Sequence, residues 1–279
     1  MKTRTPLDRN DLQIQKKDKV IEIGSGHNPS FRANVIVEKY IYDNTQRCDK
    51  AKIYPHQTFI NADGENLPFK DKEFDYAICC QVLEHVEHPD IFIAEQCRIA
   101  KRGYIETPSM IGEFLFPKKS HKWVILDIDQ KLVLFEKSQM PGNYQKDYGE
   151  LFLNYLSYQS LPYKLLGLTE GEMMLNRYEW KDNVDIMVNP QEEYYRSFFL
   201  SKWTREMTEK IFPPRNLKTE LLRTSTALMH ILKQKINQKF KKSASPIDLE
   251  EYLKRKGFFV FISPDYSYFC RQLTPQNEL

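Results

Sequence analysis

An acidic residue and two closely spaced glycines stand at the end of the first apolar run of this chain. The run Val20-Ile21-Glu22-Ile23 leads directly into Gly24-Ser25-Gly26. A short apolar run of this kind is typical of a strand that is buried on both faces. Glycines after it allow a tight turn and a close approach of the backbone to a ligand. Because ligands bind at this edge of an open α/β sheet, the motif predicts a nucleoside-containing cofactor next to Glu22.

Two further carboxylates follow the next two predicted strands. Glu38 ends the apolar run 35–37, and its two oxygens match the vicinal hydroxyls of a ribose. An exposed acid in a loop is the alternative interpretation of Glu38. Asp63 follows the run 58–62 and precedes Gly64. It can accept a hydrogen bond from the exocyclic amine of an adenine, or it can belong to an ordinary Asp-Gly turn.

The region after residue 73 alternates between predicted strands and helices. Residues 74–80 predict a buried fourth strand, and the sequence Gln81-Val82-Leu83-Glu84-His85-Val86 follows it. Pro89-Asp90 opens an amphipathic helix that extends to about residue 100, with Asp90 predicted as its N-cap. Residues 103–107 predict a fifth strand. This alternation predicts an α/β protein with a parallel sheet that is covered on both faces.

Composition restricts the class of protein. A length of 279 residues, with 41% apolar and 28% charged residues, suits one large domain with an extension. The net charge of +3 is too small to imply a polyanionic partner. No apolar run reaches the roughly 18–20 residues that span a bilayer. The five cysteines show no C-x-x-C spacing, and residues 1–19 lack the apolar core of a signal peptide. We therefore expect a cytoplasmic protein.

The second half of the chain predicts two hairpins and several helices. The first hairpin, within residues 123–135, is expected in an insertion over the ligand edge, and the second, within 173–188, at the antiparallel edge of the sheet. Apolar residues at every fourth position from Tyr195 to Ile211 predict one helix with a core-facing stripe. A helix from about 217 to 242 is rich in lysine in its second half, so peripheral membrane contact and a solvated face are its two interpretations.

The order of these motifs resembles that of the class I S-adenosylmethionine-dependent methyltransferases of the small-molecule, methyltransferase-domain-11 type. The motifs are E-x-G-x-G after strand one, an acid after strand two, Asp-Gly after strand three and F-D-Y-A-I-C-C-Q-V-L-E-H-V-E-H-P at strand four. The resemblance covers residues 20–108. It implies a Rossmann-like, doubly wound, mostly parallel sheet. The patterns of the second half of the chain add an antiparallel edge hairpin and a mainly helical C-terminal extension to this prediction. We expect the cofactor domain at 1–189, an insertion at about 110–138 and the extension at 190–279.

The resemblance also implies a set of residues that contact S-adenosyl-L-methionine. The backbone from Gly24 to Gly26 would hold its methionine part, with Glu22 near the amino end. Glu38 would bind the ribose, with Asp43 as the second candidate because the preceding connection is short. Asp63 with Gly64 would bind the adenine, and Cys80 and Gln81 would line the remaining wall. The other residues expected to contact the cofactor are Ser25, Asn28 and Glu65.

Two histidines are candidates for a general base. His85 follows strand four, near the expected position of the methyl group, and His121 lies in the predicted insertion. An oxygen nucleophile must lose its proton, and histidine is the usual acceptor. Packing or helix capping is the alternative role for His85. Glu84 and His85 match two of the three metal-binding positions of the ubiquinone-pathway O-methyltransferases, but Gln81 stands where the third acid would be. The sequence therefore predicts no metal site.

The resulting prediction is an enzyme that transfers a methyl group to an oxygen or nitrogen of a small molecule, such as a sugar or glycan precursor. The alternative is a non-catalytic S-adenosylmethionine- or S-adenosylhomocysteine-binding protein whose helical tail docks a partner or a membrane. A nucleic-acid substrate is not favoured, because no N/D-P-P-Y segment follows strand four. A nicotinamide enzyme is not favoured either, because Pro29 occupies the third glycine position of G-x-G-x-x-G.

Overall fold

The computed structural model describes residues 1–43, 49–140, 148–240, 245–262 and 268–272. The strands in these ranges are β1 (Lys2–Arg4), β2 (Val20–Ile23), β3 (Val35–Glu38), β4 (Lys52–Ile53), β5 (Thr58–Asn61), β6 (Tyr76–Cys80), β7 (Arg102–Pro108), β8 (Trp123–Ile128), β9 (Lys131–Glu136), β10 (Leu175–Lys181), β11 (Ile186–Val188), β12 (Ile247–Asp248), β13 (Phe258–Ile262) and β14 (Tyr268–Gln272). The α-helices are α1 (Pro89–Ile99), α2 (Met110–Leu115), α3 (Leu156–Gln159), α4 (Leu161–Thr169), α5 (Glu193–Leu200), α6 (Arg205–Ile211), α7 (Leu217–Phe240) and α8 (Leu249–Arg255).

Seven strands form the central sheet, in the order β1-β10-β7-β6-β2-β3-β5. The five strands from β7 to β5 are parallel, whereas β10 is antiparallel to both of its neighbours. From β2 the chain continues to β3 and β5 on one side, and later to β6 and β7 on the other. The topological switch point therefore lies between β2 and β6. This is the Rossmann-like α/β fold that the sequence predicts.

The two faces of the sheet are covered in different ways. Helix α1 packs its apolar side, including Phe92 and Ile93, on the face that carries Ile21 and Ile23. This helix begins at Pro89, and its N-cap is His88, so the prediction of Asp90 as the N-cap is wrong. Proline is favoured at the first helical position because its missing N–H needs no partner there.

The opposite face is covered from the far end of the chain. No helix connects β2 to β3, and residues 24–34 form turns. Helix α8 instead buries Leu249, Tyr252 and Leu253 in the same cluster as Val20 and Tyr76 of the sheet. Pairing of β12 with β4 guides α8 to this position. The C-terminal segment thus takes the place of the missing crossover helix.

A second, three-stranded sheet has the order β11-β9-β8. β8 and β9 form the first predicted hairpin, and its turn residues Asp129 and Gln130 have φ of 54° and 61°. The second predicted hairpin is wrong. β10 pairs with β7 and β1, whereas β11 runs parallel to β9. β13 and β14 form a separate pair and do not join the central sheet.

The predicted helix from 195 to 211 is divided into α5 and α6. The Thr204 hydroxyl accepts a hydrogen bond from the Met207 amide at 3.2 Å and caps the second helix. An N-cap has non-helical backbone angles, so it interrupts a continuous helix. The apolar stripe still packs against one cluster, in which Phe198 and Phe199 are buried.

Helix α7 has the predicted length but little burial. Ala227 is buried, and the Asp8 carboxylate bonds His230 and Gln234. The apolar side chains that are exposed on α7 are Leu217, Leu221, Leu222, Leu228, Met229, Leu232 and Ile236. Lys241 and Lys242 of the predicted basic segment lie outside the described residues. In the described part of the chain, no helix is long and apolar enough to cross a membrane.

Candidate active site

The turn after β2 depends on its two glycines. Gly24 and Gly26 have φ of 69° and 56°, in the left-handed region that glycine tolerates best. The Gly24 amide donates to the Val37 carbonyl at 2.8 Å, which holds the turn against β3. A Cβ on Gly24 would lie 2.4 Å from Cγ2 of Val82. The backbone conformation and the close approach of Val82 therefore both require glycine.

A cavity of about 210 Å³ lies where the parallel strands end. The ends of β2, β3, β5 and β6 meet there, at the edge where this class of sheet binds ligands. The predicted site residues that line it are Gly24, Gly26, Glu38, Asp63, Gly64, Glu65, Gln81 and His85. The volume is below the roughly 300–1,000 Å³ that is common for ligand sites, so the cavity as it stands encloses only part of an adenosyl cofactor.

Glu38 connects the end of β3 to the glycine turn. Its Oε1 accepts a hydrogen bond from the Gly26 amide at 2.5 Å and from the Ser25 hydroxyl at 3.0 Å. Ser25 thus touches Glu38 without lining the cavity. The carboxylate lies at the place predicted for the ribose ligand, but a ribose diol would have to share it with these two donors.

Asp63 lies one strand further along the same edge. Its Oδ2 is 2.7 Å from Lys39 Nζ, and its Oδ1 accepts from the Glu65 amide at 3.0 Å. Burial opposes ionisation, but the Glu65 amide and the Lys39 ammonium outweigh it and lower the pKa of Asp63. The next residue, Gly64, packs against Phe92 of α1, and a Cβ on Gly64 would lie 2.4 Å from the Phe92 ring. The carboxylate is therefore ionised and able to accept from an amine.

Glu65 binds the chain after β6. Its Oε1 accepts from the amides of Glu87 and His88, both at 3.0 Å. This carboxylate holds the cavity wall together across two strand ends. Its predicted contact with the cofactor would have to be made by the remaining lone pairs or the side-chain stem.

Glu22 lies behind the cavity, with 1% of its side chain exposed. Its carboxylate bonds Arg9 at 2.8 Å and the Ser30 amide at 2.6 Å. Burial raises the pKa of Glu22, although Arg9 and the Ser30 amide oppose the shift. Asn28 is on the same side, where its carbonyl accepts from Arg9 at 2.9 Å. The structure does not bring Glu22 or Asn28 to the cavity wall.

Cys80 and Gln81, at the end of the fourth predicted strand, differ in the exposure of their side chains. Burial, then the Glu106 charge, raises the pKa of the Cys80 thiol well above its usual range, and this partly buried side chain packs against the core. Gln81 is exposed with φ of 58°, and its amide donates to the Glu106 carbonyl at 2.8 Å. Gln81 therefore lines the cavity, whereas Cys80 does not.

The two predicted histidines are in contact, although 35 residues separate them in the chain. The rings of His85 and His121 are 4.7 Å apart and nearly perpendicular. His85 lines the cavity, whereas His121 is buried behind it, with 3% of its side chain exposed. Burial, then His121, lowers the pKa of His85 to about 4. The His85 ring is therefore neutral at physiological pH.

A buried acidic residue completes this cluster. Glu84 is 1% exposed, and neither of its carboxylate oxygens accepts a hydrogen bond from another described residue. Burial raises the pKa of Glu84 to about 8. Oε1 of Glu84 is 4.0 Å from Nε2 of His121. Glu84, His85 and His121 have potential ligand atoms that all lie within 4.8 Å of one another.

Sequence reasoning missed Glu113, which orients His121. Glu113 Oε2 lies 2.5 Å from His121 Nδ1, and Lys137 pairs with its other oxygen. Glu113 belongs to α2, eight residues before His121. The signal available in the sequence was an acid and a histidine within the predicted insertion, but the sequence gives no reason to pair them.

Comparison with known proteins gives matches to part of the chain. Residues 31–105 match the family model described as "Methyltransferase domain". An uncharacterized protein of Methanocaldococcus jannaschii is 42% identical over 66 residues, or 22% of this chain and 32% of that protein. A ubiquinone/menaquinone biosynthesis C-methyltransferase of Rhizobium etli is 34% identical over 58 residues, or 21% of this chain and 22% of that protein. The matches thus span at most a third of these relatives.

Among solved structures, a SAM-dependent methyltransferase of Thermotoga maritima, described as a possible histamine N-methyltransferase, is 22% identical. The match covers 35% of this chain and 46% of that one, with a TM-score of 0.26.

Proposed function

We propose that this chain is a class I S-adenosylmethionine-dependent methyltransferase and that it transfers a methyl group from S-adenosyl-L-methionine to an oxygen or nitrogen of a small polar molecule. The match of residues 31–105 to a methyltransferase-domain family supports the proposal. Sugars and glycan precursors are the first acceptors to test. The observation that carries the proposal is the cavity at the switch point, which is lined by the glycine turn, Glu38, Asp63 and His85.

The residues of the cavity suit the parts of this cofactor. Positive-φ glycines at the end of β2 allow the backbone to approach the methionine part. Glu38 and Asp63 lie at neighbouring strand ends, where they can accept from a ribose diol and from an adenine amine. Lys39 must release Asp63, at least in part, for the second contact.

The chemistry of methyl transfer makes few demands on the protein. The sulfonium methyl carbon of the cofactor is already electrophilic, so the nucleophile attacks it in line while the carbon–sulfur bond breaks. The chain must hold the acceptor in that line and exclude water. Gln81 and His85 lie on the wall where the acceptor would approach.

His85 is better placed than His121 to act on an acceptor proton. Its Nδ1 is 3.0 Å from the Ser120 carbonyl, which can only accept, so Nδ1 carries the ring proton. The other ring nitrogen then has a free lone pair. His121 is buried behind His85 and bonded to Glu113, so it would act by orienting its neighbour.

Polar groups beyond the cavity favour a polar acceptor. Glu106 at the end of β7 is partly exposed and accepts from the Tyr104 hydroxyl at 2.6 Å. Arg177 of β10 lies 3.7 Å from the same carboxylate, and its Nε has no hydrogen-bond partner among the described residues. The Glu106 carboxylate can accept hydrogen bonds from a hydroxyl- or amine-bearing molecule, whereas the buried Arg177 lies beside its charge.

Cofactor binding is tested by calorimetry with S-adenosylmethionine and S-adenosylhomocysteine. The variants Glu38→Ala and Asp63→Ala should each weaken both ligands about tenfold or more, because each removes a hydrogen bond to a charged group worth on the order of 1.5–3 kcal/mol. Glu206→Ala, at an exposed carboxylate on α6, is the matched control. Unchanged affinity in both cavity variants would remove this assignment of the site.

Turnover is tested with cofactor labelled in its methyl group and cell extract separated into nucleic acid, protein, glycan and small molecules. We expect label in the small-molecule or glycan fraction. Label in nucleic acid or protein alone would reject the proposed substrate class. Tight cofactor binding with no labelled fraction would favour the non-catalytic alternative.

A further inference from the structure

Glu84 is a buried carboxylate to which no other residue of the described ranges donates a hydrogen bond. It is 1% exposed, and the nearest cationic or ring nitrogen, His121 Nε2, is 4.0 Å from Oε1. Buried acidic groups are ordinarily paired, hydrogen-bonded or bound to a metal ion, because an unpaired one is costly to desolvate. A group in this state points to a missing partner.

The two neighbouring histidines are held in the form that binds metals. The Ser120 carbonyl lies 3.0 Å from His85 Nδ1, and the Glu113 carboxylate lies 2.5 Å from His121 Nδ1. Both partners are acceptors, so both Nδ1 atoms carry the proton and both Nε2 atoms keep a lone pair. An acceptor on the far nitrogen is the usual arrangement around a metal-binding histidine.

We propose that Glu84, His85 and His121 bind one divalent transition-metal ion of the zinc type. Their ligand atoms lie within 4.8 Å of one another, and Glu84 Oε1 is 4.0 Å from His121 Nε2. Ligands of a tetrahedral ion with bonds of about 2.1 Å lie about 3.4 Å apart, so small side-chain rotations close the cluster around an ion.

The donor set decides the class of metal. Two imidazoles and one carboxylate match the three protein ligands of an open, catalytic type of zinc site, in which a fourth position is left for water or a substrate. Ca²⁺ and Mg²⁺ prefer sites made of oxygen ligands alone. Glu113 and the Ser120 carbonyl act as orienting partners, and Lys137 pairs with the remaining oxygen of Glu113.

The third ligand could not be found from the sequence. Gln81 follows β6 at the position where an acid would be needed, and it lies on the cavity wall. His121 comes instead from the segment before β8, where the Lys122 amide donates to the Glu84 carbonyl at 2.8 Å. This backbone contact fixes the histidine against Glu84.

The use of such an ion in methyl transfer rests on the proposed function, whereas the binding site does not. His85 lines the cavity, so the ion would border the cofactor site. A hydroxyl oxygen bound to it would lose its proton to solvent more readily, because a divalent cation lowers the pKa of a bound oxygen acid. The resulting oxygen would attack the methyl carbon as the carbon–sulfur bond breaks. His85 would then serve as a ligand and not as the base.

Metal binding is measured on the full chain, freed of metal with a chelator and without cofactor. Titration with Zn²⁺ should give one site by calorimetry, and Co²⁺ should give visible d–d absorption bands. The variants Glu84→Gln and His121→Gln should abolish the bands, and Glu113→Gln should weaken Zn²⁺ by about 10–100-fold. His88→Gln, at an exposed histidine outside the cluster, is the matched control and should bind as the wild type does.

The buried variants are checked for folding by circular dichroism. His85→Gln, at a partly exposed position, is the second test if Glu84→Gln or His121→Gln fails to fold. Absence of saturable binding in the wild type, or wild-type binding in folded Glu84→Gln and His85→Gln, would overturn the proposal. Methyl transfer that survives complete chelation would reject the catalytic use of the ion but leave a structural site. One Zn²⁺ bound by a chain that does not bind S-adenosylmethionine would support the metal site while rejecting the proposed function.

Discussion

Glu38 accepts a hydrogen bond from the amide of Gly26 at 2.5 Å, so the acid that ends β3 is bonded to the turn that follows β2. This contact couples two parts of the cavity wall. A cofactor that engages Glu38 also competes for the donors that hold the glycine turn in place. Changes in the turn are therefore expected to affect binding even where they do not touch a ligand.

Replacement of Gly24 by alanine should impair both folding and cofactor binding. The added Cβ would meet Val82 at 2.4 Å, and the φ of 69° is strained for alanine. Gly167→Ala in α4 is the matched control, because no atom lies within 4 Å of its added Cβ. The control should stabilise the protein by about 0.5–1 kcal/mol, since alanine favours a helix. Urea unfolding and cofactor titration measure both variants, and equal stability in the two would contradict this account.

The strand ends could be predicted from the sequence because local patterns carry that information. Alternation of short apolar runs with turn residues identified β2, β3, β5 and β6, and chain direction alone then placed Glu38 and Asp63 at one edge. Local sequence patterns do not show which other strand a given strand pairs with. Residues 184–188 have the composition of a strand, but nothing nearby in the sequence selects β9 over β10 as the neighbour.

The features that the sequence did not predict depend mostly on contacts between segments that are far apart in the chain. The position of α8 under β2 and β6 depends on β12 meeting β4, about 195 residues earlier in the chain. The contact of His85 with His121 likewise depends on how the insertion folds back. The break between α5 and α6 had a local signal, since Thr204 is a good N-cap, but the apolar stripe obscured it.

Loss of Glu22 should act mainly on stability. Glu22 is buried with Arg9 and the Ser30 amide and does not line the cavity. Glu22→Ala leaves the partly buried Arg9 guanidinium without its carboxylate, and the loss of this charge-assisted hydrogen bond should cost about 1.5–3 kcal/mol. The double variant Arg9→Met, Glu22→Met should regain much of this loss. Urea unfolding of the two variants checks the prediction. A large loss of cofactor affinity at unchanged stability would instead indicate direct contact with the ligand.

Truncation of Leu253 in α8 should be costly. Its side chain is 1% exposed and packs against the sheet where no crossover helix is present. Leu253→Ala should lower the free energy of unfolding by about 2–5 kcal/mol. Leu222→Ala is the control, because that leucine on α7 is 64% exposed and its loss should change stability by no more than about 0.5 kcal/mol. Similar effects of the two substitutions on urea unfolding would argue against the covering role of α8.

The contact of Asp8 with α7 should make stability depend on pH. Asp8 accepts from His230 at 3.0 Å and from Gln234 at 2.8 Å, and although burial opposes the shift, these donors and the Asn10 amide lower the pKa of Asp8. A carboxyl whose folded-state pKa is lowered adds stability above its unfolded pKa of about 3.9, and this contribution is lost as pH falls through the lower folded value.

The variant Asp8→Asn should therefore be less stable than the wild type near pH 6, by on the order of 1.5–3 kcal/mol for charge-assisted bonds. The difference should begin to shrink below about pH 4, where the carboxyl of the unfolded state takes up a proton, and should continue to shrink as pH falls towards the lower folded-state pKa. Chemical unfolding at a series of pH values measures it, with Asp185→Asn at an exposed loop carboxyl as the control. A difference that stays constant down to pH 3 would mean that the ionised form of Asp8 does not hold α7 against the N-terminal segment.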